Sequence, residues 1–152
     1  MVQRFLVRSS LLLVVLSTSL FLGCGGSRTP PVEEVSIKAL TILYGRFFQS
    51  HQGKPPADEA EFRAFVETVS AEELAQLGAK DPAKLWSSAR DGQPYVVMYG
   101  SLTNPQGPSG PVVIHEKVGS GGKRFVGTSL GNVEEVDETR FRELVPAASS
   151  TP

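Results

Sequence analysis

The stretch Glu33-Glu-Val-Ser-Ile-Lys-Ala-Leu-Thr-Ile-Leu-Tyr-Gly-Arg-Phe-Phe48 predicts a first helix whose apolar face supplies much of the core. Its two leading glutamates favour the positive end of the helix dipole, and the breaker-rich Gly53-Lys-Pro-Pro56 should end the helix. Apolar side chains recur at helical spacing, so one face of the helix should be buried. That face consists of Ile37, Leu40, Leu43, Tyr44, Phe47 and Phe48.

Capping signals predict further helical turns after the first helix. Asp58 with Glu61 forms one capping box, and Ser70 with Glu73 forms a second. Asp81-Pro82 should cap one more turn. The apolar residues that these turns should direct at the core are Phe62, Phe65, Val66, Val69, Leu74, Leu77, Leu85 and Trp86.

From Asp91 onward the sequence has the pattern of strands and tight turns. The glycine-rich stretches 119–122 and 130–132 are typical of hairpin turns, and the Gly- and Pro-rich stretch 101–111 is typical of a loop. Short connections favour consecutive antiparallel pairing. The predicted strands are Tyr95–Tyr99, Val112–Glu116, Lys123–Thr128 and Val133–Val136, followed by a helix that Asp137 caps and that runs through Val145. The fold class is therefore α+β, with N-terminal helices, a small antiparallel sheet and a short C-terminal helix.

The first 24 residues have the pattern of a bacterial lipoprotein export signal. Arg4 and Arg8 form a basic region, and residues 11–22 form an apolar region of a dozen residues, too short for a stable transmembrane helix. The segment ends in Phe21-Leu-Gly-Cys24, which resembles a lipobox, with Phe21 in place of the usual Leu. The resemblance implies that Cys24 is diacylated and becomes the new N-terminus, whereas the alternative is an ordinary secretory signal.

These features divide the chain into four parts. Residues 1–23 are the expected signal peptide, 24–32 a flexible tether, 33–145 a single α+β domain and 146–152 a disordered tail. Cys24 is the only cysteine, which excludes an intrachain disulfide or a thiolate zinc site. In a cell with two membranes, the glycine after Cys24 implies the outer membrane, because the aspartate associated with retention in the inner membrane is missing.

The charge balance argues against a nucleic-acid partner. The full chain has 15 basic and 16 acidic residues, and removal of residues 1–23 takes away two arginines and no acid, which leaves a net charge of −3. Acidic and basic residues alternate along the chain without a long block of one sign. This pattern is typical of a solvated protein surface.

Part of the chain resembles the soluble domains of bacterial pseudopilins and related prepilin-like proteins. The resemblance is carried by the end of the first helix with His51-Gln-Gly-Lys-Pro-Pro56, and by the segments 114–119, 122–126 and 131–134 of the predicted sheet. It implies a helix packed on an antiparallel sheet and a role in an envelope assembly. The prepilin stalk is absent, and Leu130-Gly-Asn132 stands where many such relatives have Asp-Gly-His, so no calcium site of that kind is expected.

No residue pattern predicts catalysis, a cofactor or a metal. His51 and His115 lie in no metal or nucleophile motif, and are expected at a helix end and on a strand face. Glu116 could pair with either Glu134 or Glu135 but not with both, because neighbouring strand residues point to opposite faces. Gly119-Ser-Gly-Gly122-Lys lacks the spacing and the following helix of a phosphate-binding loop.

Aromatic side chains provide the remaining functional hypothesis. Trp86, Tyr95, Tyr99 and the loop 101–111 could form a surface for a protein, peptide or glycan, although half-buried packing in the sheet is the favoured explanation of the aromatics. The sequence thus predicts a lipid-anchored envelope module that acts by structure or interaction and not by catalysis. The alternatives are an accessory subunit of a secretion or pilus-like machine, and a periplasmic hydrolase or small-ligand-binding protein.

Overall fold

The computed structural model describes residues 32–102 and 109–146, and within them the α+β fold is confirmed. The signal segment, Cys24, the predicted tether up to residue 31, the centre of the loop 101–111 and the tail from residue 147 lie outside the described residues, while Val32 already belongs to the first helix. The helices are α1 (Val32–Ser50), α2 (Glu59–Glu67), α3 (Ala71–Gln76) and α4 (Glu138–Leu144), with a 3-10 turn at Pro82–Lys84. The strands are β1 (Val96–Val97), β2 (Val112–His115), β3 (Lys123–Thr128) and β4 (Val133–Asp137).

The predicted capping residues start their helices. The Asp58 carboxylate accepts the Glu61 N–H at 2.9 Å, and the Ser70 hydroxyl accepts the Glu73 N–H at 3.2 Å. Asp81 caps the 3-10 turn and Asp137 caps α4 in the same way. Each side chain satisfies a backbone N–H that has no partner inside its own helix.

The four strands form one antiparallel sheet in the order β1-β2-β3-β4, as the short connections predict. β1 is shorter than the predicted Tyr95–Tyr99, because backbone groups at its two ends bond elsewhere. The Tyr95 N–H donates to the Trp86 carbonyl, and the Gly100 N–H donates to the Pro56 carbonyl. The sheet is thereby joined at its β1 edge to the segment before α2 and to the segment after the 3-10 turn.

The sheet has a hydrophobic cluster on each face. Phe125 of β3 packs with the buried residues of α1 and α2, whereas its neighbour Val126 packs with Phe141 of α4, because successive strand residues point to opposite faces. The predicted α1 face is buried except for Phe48, which is half-buried. The larger cluster includes Ile37, Leu40, Leu43, Tyr44, Phe47, Phe62, Val66, Leu74, Leu85 and Ile114.

None of the helices within the described residues has the length and apolar character needed to span a bilayer.

α1 approaches the sheet most closely at Gly127 of β3. A Cβ atom placed on Gly127 would overlap Thr41 Oγ1 and would lie 3.1 Å from Thr41 Cβ. Thr41 is fully buried, and its hydroxyl donates to the Ile37 carbonyl one turn earlier in α1. A glycine is therefore required at position 127, since the buried Thr41 leaves no room for a side chain there.

We expect Gly127→Ala to lower the free energy of unfolding by about 1–3 kcal/mol, because α1 must move away from the sheet to admit the methyl group. Equilibrium unfolding in urea measures this loss. Gly127→Ala should cost less stability in a Thr41→Ala background than in the wild type, because the overlapping Thr41 hydroxyl is then absent. A Gly127→Ala protein as stable as the wild type would show that this contact is not limiting.

Candidate functional site

The predicted carboxylate pair is divided by an arginine. Arg90 Nη1 donates to Glu135 at 2.8 Å, and Arg90 Nε lies 3.9 Å from the fully buried Glu116 carboxylate. Glu135 is therefore the one of the two candidates that lies on the Glu116 side of the sheet, while Glu134 is exposed on the other. The same guanidinium covers the Phe125 ring at 4.5 Å.

At the end of β2, the Glu116 carboxylate takes the place of a backbone carbonyl as the acceptor for an N–H group of β3. Its carboxylate accepts the Phe125 N–H at 2.8 Å and the Ser88 hydroxyl at 2.5 Å, and its N–H donates to the Phe125 carbonyl. The Glu116 carbonyl instead accepts a hydrogen bond from His115 Nδ1 at 2.9 Å. β2 consequently ends at His115 and not at the predicted Glu116. Because these protein groups occupy the carboxylate, the cluster is structural in character.

Asp91 fixes the tip of the β2–β3 hairpin. Its carboxylate accepts the N–H groups of Gly119 at 2.7 Å and Val118 at 3.2 Å, as well as that of Gln93 at 2.9 Å. Partial burial raises the pKa of Asp91, but these three hydrogen bonds outweigh it, so that its pKa lies below the usual value. The glycine-rich stretch 119–122 therefore lies in a hairpin turn, as its sequence predicts.

The two histidines lie far apart in the fold and do not form a pair. His51 follows α1, where its ring stacks on Phe47 at 3.8 Å between centroids and Nδ1 interacts with the Phe47 carbonyl. It is exposed, as expected for a residue at a helix end. His115 is 4% exposed and packs edge-on against Phe141 of α4. His115 thus faces α4, whereas the Glu116 carboxylate faces Ser88 and Phe125.

Trp86 lines an open groove of about 520 Å³ between α2, α3 and the 3-10 turn. Its half-buried ring packs edge-on against Phe62 of the core at 5.7 Å, and the Arg63 guanidinium lies over it at 4.0 Å. Arg63 is held in turn by Glu59 at 2.6 Å. We call this site the Trp86 groove, and it is lined by Arg63, Val66, Glu67, Val69, Ala71, Leu74, Pro82, Ala83, Leu85 and Trp86.

The two tyrosines of the predicted aromatic surface have different surroundings. Tyr95 is 7% exposed, so it faces the interior, and its hydroxyl has no hydrogen-bond partner among the described residues. Burial and the Glu116 carboxylate raise its pKa well above the usual value. Tyr99 is half-buried, and burial together with the Glu59 carboxylate raises its pKa to about 12. The structure thus places Tyr99 near the Glu59–Arg63 pair beside Trp86, but directs Tyr95 inward.

Two other grooves lie near the C-terminal end of α1. One, of about 650 Å³, lies between Phe48, Leu102, Pro111 and Leu130, and the other, of about 440 Å³, runs past His51 and Glu61. The first borders both ends of the loop segment that lies outside the described residues. Within residues 32–102 and 109–146, no group of three or more His, Cys, Asp or Glu side chains is arranged to bind a metal ion.

Sequence reasoning missed Arg63 and Arg90, the two arginines that organise these sites. Arg63 belongs to a helix whose pattern marked only the apolar face, and the Trp86 that it covers is more than twenty residues away. Arg90 stands beside the turn signal at Asp91-Gly92, which indicates a change of direction but not its ion-pair partner Glu135. Both contacts are long-range, so no local spacing reports them.

We expect the buried His115 to make the domain less stable in mild acid. Burial lowers its pKa, as does Arg124, whereas the hydrogen bond to the Glu116 carbonyl opposes the shift. A histidine in the unfolded chain has a pKa of about 6.5, so the unfolded chain binds the proton more readily than the folded domain does. The free energy of unfolding therefore falls as the pH falls below about 6.5.

Urea unfolding between about pH 7.5 and pH 5 tests this expectation, because that window spans histidine titration. The wild type should lose more stability on acidification than His115→Gln, and the exposed control His51→Gln should follow the wild type. Equal slopes in the wild type and His115→Gln would contradict the expectation.

No family model matches this chain, and no curated protein or solved structure shows significant similarity to it. The resemblance to pseudopilins therefore stays a prediction that the sequence motifs carry.

Proposed function

We propose that this protein is a lipid-anchored protein of the bacterial cell envelope whose domain acts as an interaction module and not as a catalyst. The observation that carries the interaction role is the Trp86 groove, where a half-buried tryptophan and an arginine lie together at an open, largely apolar depression. Trp and Arg are among the residues that contribute most to binding energy at protein interfaces.

The chemistry of the Trp86 groove fits a protein partner. Its floor is apolar, with contributions from Val66, Leu74 and Leu85, and its polar lining comes from Arg63 and Glu67. An apolar centre with a polar rim is the usual anatomy of a protein interface. We therefore propose another envelope protein as the partner, which inserts an apolar side chain against Trp86.

The placement of the titratable groups supports a non-catalytic role over a hydrolase. A hydrolase site would require His51, His115 or Glu116 to converge on one cavity. His51 lies at the end of α1, His115 is buried against α4, and Glu116 is occupied by Ser88 and Phe125.

Membrane attachment is proposed to come from acyl chains on Cys24. The basic residues Arg4 and Arg8, the short apolar region and the Phe21–Cys24 motif support this attachment. Two acyl chains on one residue suffice for stable anchoring. In a cell with two membranes, Gly25 after the acylated residue favours the outer membrane.

Metabolic labelling of Cys24→Ala with a palmitate analogue tests the anchor. In a bacterial host, the wild-type chain should carry the label and sediment with membranes, and the variant should lose both properties because no other cysteine can take the acyl chains. A wild-type chain that is unlabelled and leaves the membrane fraction would refute the anchor.

A photo-crosslinker in place of Glu67 tests the interaction role of the Trp86 groove. In intact cells it should form a discrete adduct with an envelope protein. The substitution Ala83→Arg should abolish this adduct, because the new side chain fills the groove from an exposed position without removing a core contact. Ala89→Arg is the matched control, since Ala89 is also exposed but lies outside the groove, and it should leave the adduct unchanged. Absence of an adduct from anchored protein, or an adduct that persists in Ala83→Arg, would refute the role.

A further inference from the structure

The N-terminal end of α1 and the β2–β3 hairpin tip lie at the same end of the domain. α1 follows the direction of β3, because Thr41 packs at Gly127 and, one turn later, Gly45 packs at the Ser129 carbonyl just beyond β3. The start of α1 therefore lies towards the start of β3, which is where the hairpin tip connects. Val32, the first residue that the structure describes, therefore lies at this same end.

The hairpin tip presents an aliphatic side chain between two lysines. Val118 is 60% exposed, and Lys117 and Lys123 on either side of the turn are exposed as well. Asp91 holds the backbone of the turn that carries this exposed valine, through the N–H groups of Val118 and Gly119. The Lys123 amine also lies 3.8 Å from the Glu135 carboxylate. An apolar side chain beside Lys117 suits a bilayer surface, since a lysine amine reaches the lipid phosphates while its stem lies along apolar groups.

The chain between Cys24 and α1 limits how far this end can move from a membrane. Eight residue steps separate Cys24 from Val32, so even a fully extended chain spans at most about 29 Å. This limit is about the length of α1 itself, at 1.5 Å per residue over 19 residues. Val32, at the hairpin end of the domain, is therefore kept within about the length of α1 from the anchor, whereas the opposite end of the sheet can be further away.

We propose that the hairpin tip rests on the bilayer that holds Cys24, with Val118 at the level of the lipid headgroups. This inference rests on the proposed acylation of Cys24. The partner of the tip is the lipid surface itself. The anchor supplies the affinity for the membrane, and the tip supplies the orientation.

Leu130 provides a matched control for Val118. It is the other large aliphatic residue that stands exposed in the described part of the chain, at 69%, and it lies in the β3–β4 turn at the opposite end of β3. The six residues of β3 separate the two turns by about 17–20 Å. Neither side chain is part of the buried clusters, so substitution of either should leave the fold intact.

The experiment places one environment-sensitive fluorophore on the acylated chain, as Val118→Cys or as Leu130→Cys. Cys24 is the only natural cysteine, and its acylated sulfur does not react, so each variant carries a single reactive thiol. The labelled proteins are reconstituted into vesicles of phosphatidylethanolamine and phosphatidylglycerol that contain lipids with a nitroxide at the headgroup. Flotation of the vesicles reports membrane attachment separately from quenching.

The label at Val118→Cys should be quenched several-fold more strongly than the label at Leu130→Cys, with a blue-shifted emission only at Val118→Cys. Equal quenching at the two positions of a protein that floats with the vesicles would overturn the proposed orientation and leave the anchor standing. Protein that does not float would overturn the anchor, and the orientation with it. Stronger quenching at Leu130→Cys would show that the opposite end faces the bilayer.

Discussion

The buried carboxylate of Glu116 is the constraint on which the arrangement of the sheet depends. It accepts hydrogen bonds from the Ser88 hydroxyl and the Phe125 N–H, and so joins the segment before β1 to the start of β3. A fully buried charge is tolerated only when such partners satisfy it, and loss of one partner of a buried charge typically costs about 3–5 kcal/mol. The Arg90 guanidinium lies beside this carboxylate and forms an ion pair with Glu135 of β4. One side chain thus sets where β2 ends, and the network around it positions the turn that Asp91 holds.

The local signals in the sequence predict the elements of this fold well, because each depends on residues close together in the chain. The caps at Asp58, Ser70 and Asp137 and the apolar face of α1 belong to this class. The limits of β1 and β2 depend on distant partners, since Tyr95 bonds to Trp86 and Glu116 to Ser88 and Phe125. The candidate site follows the same division. Trp86 stands out by its residue type, whereas the guanidinium that covers it comes from another element of the fold.

The domain combines a tightly packed interior with the two surfaces for which a binding role is proposed. The sheet is packed on both faces, and α1 lies so close to β3 that a methyl group at Gly127 has no room. The Trp86 groove is formed by helices packed on this core, and the hairpin tip extends from its sheet. A scaffold of this kind holds a binding surface in a fixed geometry, which reduces the entropy lost when a partner binds. His51 stacks on Phe47 at the end of α1, whereas the adjacent residues His115 and Glu116 direct their side chains to Phe141 and to Ser88.

The edge strand β4 has a further consequence under the proposed attachment to a membrane. Glu134, Glu135 and Asp137 are exposed along a strand that pairs with β3 on one side only. Unpaired strand edges invite pairing with the edge of another molecule, and charged side chains oppose it. Molecules held in a two-dimensional layer meet far more often than the same molecules diluted in solution. The row of acids on β4 would therefore keep neighbouring copies apart and allow a dense layer of this protein to remain unaggregated.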